Sequence, residues 1–505
     1  MFGMHRRKFL GLASAATAHI LSGGSAGAQG RPKRAYKYRF AFNAWINDVR
    51  NESMPLENWP YGVLDDKTVD ATIRALDLQS EAGYNGLDII GLMATYSWPV
   101  DIKSVADRDR ERRIKKILSA AHQRKIKVIC FPTGVYSWGF DEIIRQNPAI
   151  QTDNKHVMNP LREESWEWQR KIYDFMLDNY EVDGFHLESG DQGRCKTKEC
   201  MERWPSDAAY HCYVTGKSAD YLRSKRRDLI LTAILLGYST WGREFTDDEK
   251  DELVKLSRSV DCLFAQGHGQ PFIPQAKRRV FIKRLHCDYG TSGGIWIYPP
   301  QRWERTRWFL PYTIRTGTHI KQLYEDGGRG VMYYQGPVIN PSTEVNIAFG
   351  GRIMSDVGKN VEEVLAEVLE SLYRPKSTAA HRKLVEVFQR AENVYFAQWD
   401  AERIHAGRKR PPPGELHLTS LFGASPNASD YLMEPFLTTE GRLACKEGLV
   451  SIYMEVLKIE NDFADNGRIA RIKKGIEGAL VDINNIAASK GETKVWDDRH
   501  VGRLF

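Results

Sequence analysis

Apolar positions along this chain follow two periods that take turns. Short aromatic or branched runs, apolar at every second residue, give way to longer stretches in which apolar residues return every three or four. The alternation repeats eight times between residues 38 and 357. Strands are predicted over 38–46, 86–91, 127–135, 182–189, 229–238, 260–268, 294–299 and 330–337. Helices are predicted over 68–82, 107–124, 164–180, 247–259, 275–286, 307–324 and 345–357. A helix-rich, cysteine-bearing excursion fills the stretch after the fourth strand. Gly83 closes the first helix, where a left-handed residue ends a helix at least cost.

Strands separated by helices pair in parallel through right-handed crossovers. Eight such units in about 320 residues are the count for a closed (β/α)8 TIM barrel. A doubly wound open sheet would need a glycine-rich turn after its first strand, and Ile46-Asn47-Asp48-Val49-Arg50 stands there instead. From residue 358 to 505 the strand pattern stops, and helices are predicted over 361–373, 379–401, 440–464 and 468–488. The run Arg408-Lys409-Arg410-Pro411-Pro412-Pro413-Gly414 reads as a stiff, exposed connector between them. The expected organisation is a leader over 1–28, a barrel over 29–357 and a C-terminal helical appendage over 358–505.

The leader changes the picture of where the chain works. Arg6-Arg7-Lys8-Phe9-Leu10 opens a basic region, residues 11–21 are small and apolar, and Ala26-Gly27-Ala28 gives a small-x-small cleavage pattern. The paired arginines followed by Phe-Leu resemble a twin-arginine signal. A periplasmic or secreted protein follows as the expectation, with no membrane anchor once the leader is removed. Losing residues 1–28 removes three basic and no acidic residues, so the net charge of +7 becomes +4. That charge is mild and its basic residues are interleaved with acids, which argues against a nucleic-acid partner. Seven cysteines leave at least one unpaired. Cys195, Cys200 and Cys212 cluster, and in an oxidising compartment a disulfide between two of them is the first expectation, with a metal site as the alternative.

Candidate chemistry sits where barrels keep it, at the C-terminal ends of the strands. The fourth strand reads Asp183-Gly184-Phe185-His186-Leu187-Glu188-Ser189-Gly190-Asp191. Alternation sends Phe185 and Leu187 to the helices, and Gly184, His186 and Glu188 into the lumen. Glu188 stands at the mouth, with Asp191 in the turn beyond it. Two neighbouring carboxyl groups of different environment suit acid catalysis at a glycosidic oxygen, one protonated as donor and one ionised. The other mouths add groups that stack on sugar rings or bond their hydroxyls. These are Asn43 and Trp45 on the first strand, Asp88 on the second, Tyr136 and Trp138 after the third, Gln266 and His268 on the sixth, Trp296 and Tyr298 on the seventh, and Tyr333, Tyr334 and Gln335 on the eighth. A salt bridge to a neighbouring arginine is an equal reading of Asp88.

With the Asn147-Pro148 loop and the tryptophan-rich helix that precede it, this fourth strand resembles that of bacterial glycoside hydrolases of the broad hexosaminidase, chitinase and alpha-glucuronidase kind. The resemblance implies a TIM barrel, a carbohydrate substrate, no cofactor, and a proton donor at the end of the fourth strand, a role that falls on Glu188. The departures are specific. The adjacent Asp-Glu pair of family 20 hexosaminidases and the full aspartate-rich run of chitinases are missing, and Ile295-Trp296-Ile297-Tyr298 offers no glutamate nucleophile. The partner of Glu188 stays open among Asp191, Asp88 and a substrate acetamido group. Two other readings remain: a metal-dependent hydrolase or isomerase using His186, Glu188 and His268, and a non-catalytic carbohydrate-binding barrel. No serine nucleophile elbow is present, since Gly237-Tyr238-Ser239 lacks the second glycine.

Overall fold

The computed structural model describes residues 34–43, 64–90, 92–93, 97–137, 139–190, 192–235, 244–265, 273, 275–294, 308–334, 342–396, 404–405, 408–409 and 439–489. Eight parallel strands close in sequence order into a barrel. They are β1 (Tyr38–Asn43), β2 (Gly86–Ile90), β3 (Lys127–Phe131), β4 (Gly184–Leu187), β5 (Ile230–Ile234), β6 (Cys262–Ala265), β7 (Asp288–Gly294) and β8 (Gly330–Tyr334). The helices between them are α1 (Asp66–Ala82), α2 (Arg108–Gln123), α3 (Asp141–Gln146), α4 (Glu163–Asn179), α5 (Lys198–Arg203), α6 (Asp207–Lys225), α7 (Asp247–Leu256), α8 (Gln275–Ile282) and α9 (Ile314–Glu325). After β8 come α10 (Thr343–Ser355), α11 (Val361–Tyr373), α12 (Thr378–Phe396), α13 (Thr439–Ile459) and α14 (Asn466–Ser489). The chain thus forms the (β/α)8 barrel its periodicity predicts. Gly83 adopts φ +94° as the C-cap of α1, and Asp107 caps α2 by accepting from the Arg110 N–H.

Strand alternation divides the core in two. Tyr38, Phe40 and Phe42 face the lumen with Ile129, Phe131, Ile234, Phe264 and Met332. The residues between them, such as Leu87, Val128, Phe185, Leu187 and Val331, join the larger core that packs against the helices. Inside the lumen, rings take the volume that glycines leave. A Cβ on Gly86 would lie 2.3 Å from the Phe40 ring, and one on Gly290 would lie 2.6 Å from the Phe264 ring.

The floor repeats one device. Asn85, Asp183 and Asp261, each just before an even-numbered strand, accept the second N–H of the preceding odd strand, from Arg39, Val128 and Leu231 at 2.9, 2.8 and 2.8 Å. Asp183, the first residue of the fourth-strand motif, is therefore a floor residue, bonded also to His122 Nε2 at 2.8 Å.

Three expectations need correction. The seventh strand runs over Asp288–Gly294, not 294–299; its glycines, of which Gly290 lies against the Phe264 ring, erase the apolar alternation. The helix expected from 307 begins at Ile314, because Pro311 cannot continue a helix and disfavours helical backbone at Leu310. At the expected connector, Arg408–Lys409 pairs antiparallel with Ile404–His405 in a two-residue ribbon, and residues 410–414 lie outside the described residues.

Helices α11 to α14 share one apolar core with the barrel's outer face. The Trp308 and Tyr395 rings stack at 5.9 Å, Phe309 meets Phe388 edge-on at 4.9 Å, and Arg468 Nε donates to Glu344 of α10 at 2.9 Å. Among the described residues no helix is long and apolar enough to cross a membrane.

Two glycine substitutions should separate the lumen from the outer shell. A Cβ on Gly184 would stand 2.1 Å from the Ile230 carbonyl oxygen, a backbone atom that cannot yield, so Gly184→Ala should destabilise by roughly 3 kcal/mol. Gly216, inside α6, has only Leu256 Cδ1 at 3.8 Å and Ser259 Oγ at 4.0 Å near that position, and Gly216→Ala should stabilise by about 0.5–1 kcal/mol. Urea unfolding of both variants checks the two signs.

Candidate active site

β4 carries the site because its phase is forced. Phe185 and Leu187 are buried among the helices, which leaves Gly184, His186 and Glu188 for the lumen. Glu188, one residue past the strand end, is 6% exposed. Its carbonyl accepts the Val135 N–H at 2.6 Å, tying the β3 mouth to the β4 mouth. Ser189 Oγ accepts from Thr215 Oγ1 of α6 at 3.1 Å. The acid thus stands on backbone held from both sides.

Deeper in the lumen, His186 Nδ1 and Asp88 Oδ2 lie 2.5 Å apart, and neither side chain has any exposed surface. Asp88 is the middle residue of β2, level with Phe42 on one side and Ile129 on the other. The imidazole lies between two rings, stacked on Phe131 at 4.7 Å and on Phe42 at 5.9 Å. With Nδ1 engaged, Nε2 is the ring nitrogen left for other contacts. Neither Nε2 nor Asp88 Oδ1 has a hydrogen-bond partner among the described residues. Burial pushes the Asp88 carboxyl above its ordinary value, opposed by the charge and hydrogen bond of His186. A buried carboxylate–imidazole pair of this kind can hold one proton in a medium where a lone charge would be costly.

The residues named from the sequence separate into three groups. Asp88 and His186 meet in the lumen, with Glu188 two residues beyond His186 on the same face, and the partner of Asp88 is His186 rather than an arginine. Tyr333 does not join them. It is fully buried on the outer face, edge-on to Tyr84 at 6.3 Å, and a Cβ on Gly350 of α10 would meet its ring. Met332 takes the lumen position, so Tyr333 must point outward, and burial raises its hydroxyl pKa. Asn43 closes β1, paired with Ile89. Trp45, Trp138, Asp191, Gln266, His268, Trp296, Tyr298 and Gln335 lie outside the described residues. Tyr136 is also buried away from the lumen, its ring stacked on Trp166 of α4 at 6.1 Å, and it holds a left-handed φ of +57°.

Phe42 and Phe131, the rings that clamp His186, went unmarked in the sequence. Their alternation with Phe40 and Ile129 was the available clue.

The cysteine cluster is not a disulfide: all seven cysteines are free thiols. The Thr197 hydroxyl lies 3.2 Å from Cys195 Sγ, and Cys200 Sγ points to Asn159 Oδ1 at 3.8 Å. Cys212 faces the charged groups of α7, and burial raises its pKa well above the ordinary value. Among the described residues no three His, Cys, Asp or Glu side chains are grouped to hold a metal ion.

No family model matches the chain, and no curated protein matches it by sequence. Solved structures do resemble it. A GH138 enzyme targeting pectin rhamnogalacturonan II superposes with a TM-score of 0.56 at 10% identity, covering 91% of this chain and 72% of that one. An O-GlcNAc hydrolase of Thermobaculum terrenum, solved as a mutant, gives a TM-score of 0.50 at 10% identity, covering 89% of this chain and 83% of that one. At such identity the likeness establishes the shared fold.

The Asp88 shift has a sign that can be measured. An acid whose pKa is raised in the fold holds its proton longer there than in the unfolded chain. Its contribution to stability is complete below the ordinary value of 3.8 and declines as the pH rises through the folded value. Asp88→Asn should remove that component, so the wild-type stability should fall relative to the variant as pH increases from about 4. Parallel urea titrations across pH 3 to 7 would show the divergence, and parallel curves would contradict it.

Proposed function

We propose that this protein is a glycoside hydrolase acting on an oligo- or polysaccharide, with Glu188 as the acid at the barrel mouth. The observation that carries the reading is a nearly buried carboxyl group at the C-terminal end of β4, directly past the buried His186–Asp88 pair. Barrels of this kind work at that face, and a general acid must stand there, within reach of the bond it cleaves. The barrel is of a fold shared with carbohydrate-cleaving enzymes, which supports the same reading by analogy.

In this mechanism Glu188 protonates the leaving glycosidic oxygen as the C–O bond breaks. Asp88 has no exposed surface and is bonded to His186, so it does not reach the sugar as the second carboxylate. That part falls to Asp191, three residues beyond Glu188, which stays ionised and supports the oxocarbenium charge. His186, as fully buried as Asp88 and with its tautomer held by it, supports the floor of the site beneath Glu188. The leader pattern in residues 6–28 would deliver the enzyme to the periplasm or beyond.

Residues 29–505 should be assayed on aryl glycosides and on neutral, N-acetylated and uronic polysaccharides, with rhamnogalacturonan II oligosaccharides and O-GlcNAc glycosides included. Glu188→Gln should lower kcat by about 10²–10⁴-fold while sugar binding persists. Turnover untouched by the substitution would move the acid elsewhere. Binding without turnover in the wild type would identify a carbohydrate-binding barrel.

A further inference from the structure

In a (β/α)8 barrel each helix runs back against the strand before it, so helix N-termini lie on the catalytic face. The first turn of α9, after β7, has an unusual occupant there. Thr313 makes no side-chain cap to its own helix. Instead Glu392, reaching in from α12, accepts from the Thr313 N–H at 2.8 Å, the Thr313 hydroxyl at 3.0 Å, the Ile314 N–H at 3.1 Å and the Arg315 N–H at 2.8 Å. The side chain is 2% exposed. Barrels commonly hold a phosphate near the loops after strands 7 and 8, at a helix N-terminus. Here the chain's own carboxylate takes the corresponding role on α9, where the helix dipole and the unpaired N–H groups favour an anion.

The contact does more than cap a helix, because of what surrounds it. Leu310 N–H donates to Ser342 Oγ at 2.8 Å and Tyr312 N–H to Asn346 Oδ1 at 3.1 Å. Trp308 and Phe309 pack on Tyr395 and Phe388 of α12. Residues 308–315 are therefore pinned from outside by α10 and α12, and they lead into the first turn of α9, which lies on the C-terminal face of the barrel. We propose that Glu392 is a positioning residue for the active site, making α12 the support of its β7–α9 wall. The inference rests on the reading of that mouth as a glycoside site.

The test uses the full chain with Glu392→Gln, Glu392→Ala and, as a stability control on α14, Ile476→Val. Glu392→Gln keeps the shape and loses the charge. It should raise KM for the wild-type substrate at least tenfold with kcat changed less than threefold, and speed hydrogen exchange at the amides of residues 313–315 and of β7. Formate or acetate should partly restore KM in Glu392→Ala, where chloride should not. An unchanged KM in Glu392→Gln, or an equal rise in Ile476→Val at a matched loss of Tm, would overturn the proposal. A wild type without turnover on any glycoside would defeat the glycosidase reading separately. In that case the exchange experiment decides: faster exchange confined to 313–315, with β7 as in the wild type, leaves Glu392 a local cap and ends the positioning role.

Discussion

A closed barrel of eight strands has a lumen only wide enough for the side chains that fill it, and the rest of this molecule follows from how that space is shared. Phe40 and Phe264 cross it, and the strands they press against carry Gly86, Gly290 and Gly330 in place of side chains. Above those rings the lumen takes polar groups at mid-strand level, where His186 stacks on Phe42 and Phe131 and is tied to Asp88. The same packing that closes the barrel thereby fixes the ring plane of its one lumen histidine among the described residues, and leaves Nε2 as the ring nitrogen open to other contacts.

Closure also explains why the outer shell cannot be treated as decoration. The helices of a barrel bury one face on the strands, and on the β7–β8 side that shell extends into the C-terminal helices without a break in the apolar core. Arg468 and Arg471 of α14 both reach Glu344 of α10, at 2.9 and 3.2 Å. Glu392 makes the corresponding contact at the catalytic face. A buried carboxylate with several donors is strongly destabilising to disrupt, so these helices and the wall of the mouth are mechanically one object.

How much of this could be read from the sequence depended on whether a residue's neighbours were local. The fourth strand was legible because Phe185 and Leu187 leave a single choice of face for His186 and Glu188. The eighth was not, because Val331, Met332, Tyr333 and Tyr334 are all apolar enough for either phase. Only pairing of Met332 with Phe40 across β1 decides that Tyr333 points outward. The seventh strand hid behind its own glycines, and the reason for Gly290 is a ring on β6. The partners of Asp88 and Thr313 lie 98 and 79 residues away in the chain, so no local pattern could name them. Cys195, Cys200 and Cys212 show the converse failure, since closeness in sequence did not bring Cys212 onto the face the other two share.

The fold sets the carboxyl groups of Asp88 and Glu188 in different surroundings. Asp88 sits mid-strand, sealed from solvent, with a basic partner at 2.5 Å; it can hold an imidazole but cannot meet a substrate. Glu188 sits past the strand end, where the backbone is already committed to Val135 and the side chain retains a small exposed surface. A group with that combination is largely withdrawn from water yet not sealed from it. Acid catalysis at a glycosidic oxygen needs a carboxyl group at the strand ends, and under the proposed function that is the place Glu188 fills. The environments, more than the residue types, separate Asp88 from the acid proposed at Glu188 on adjacent levels of the same lumen.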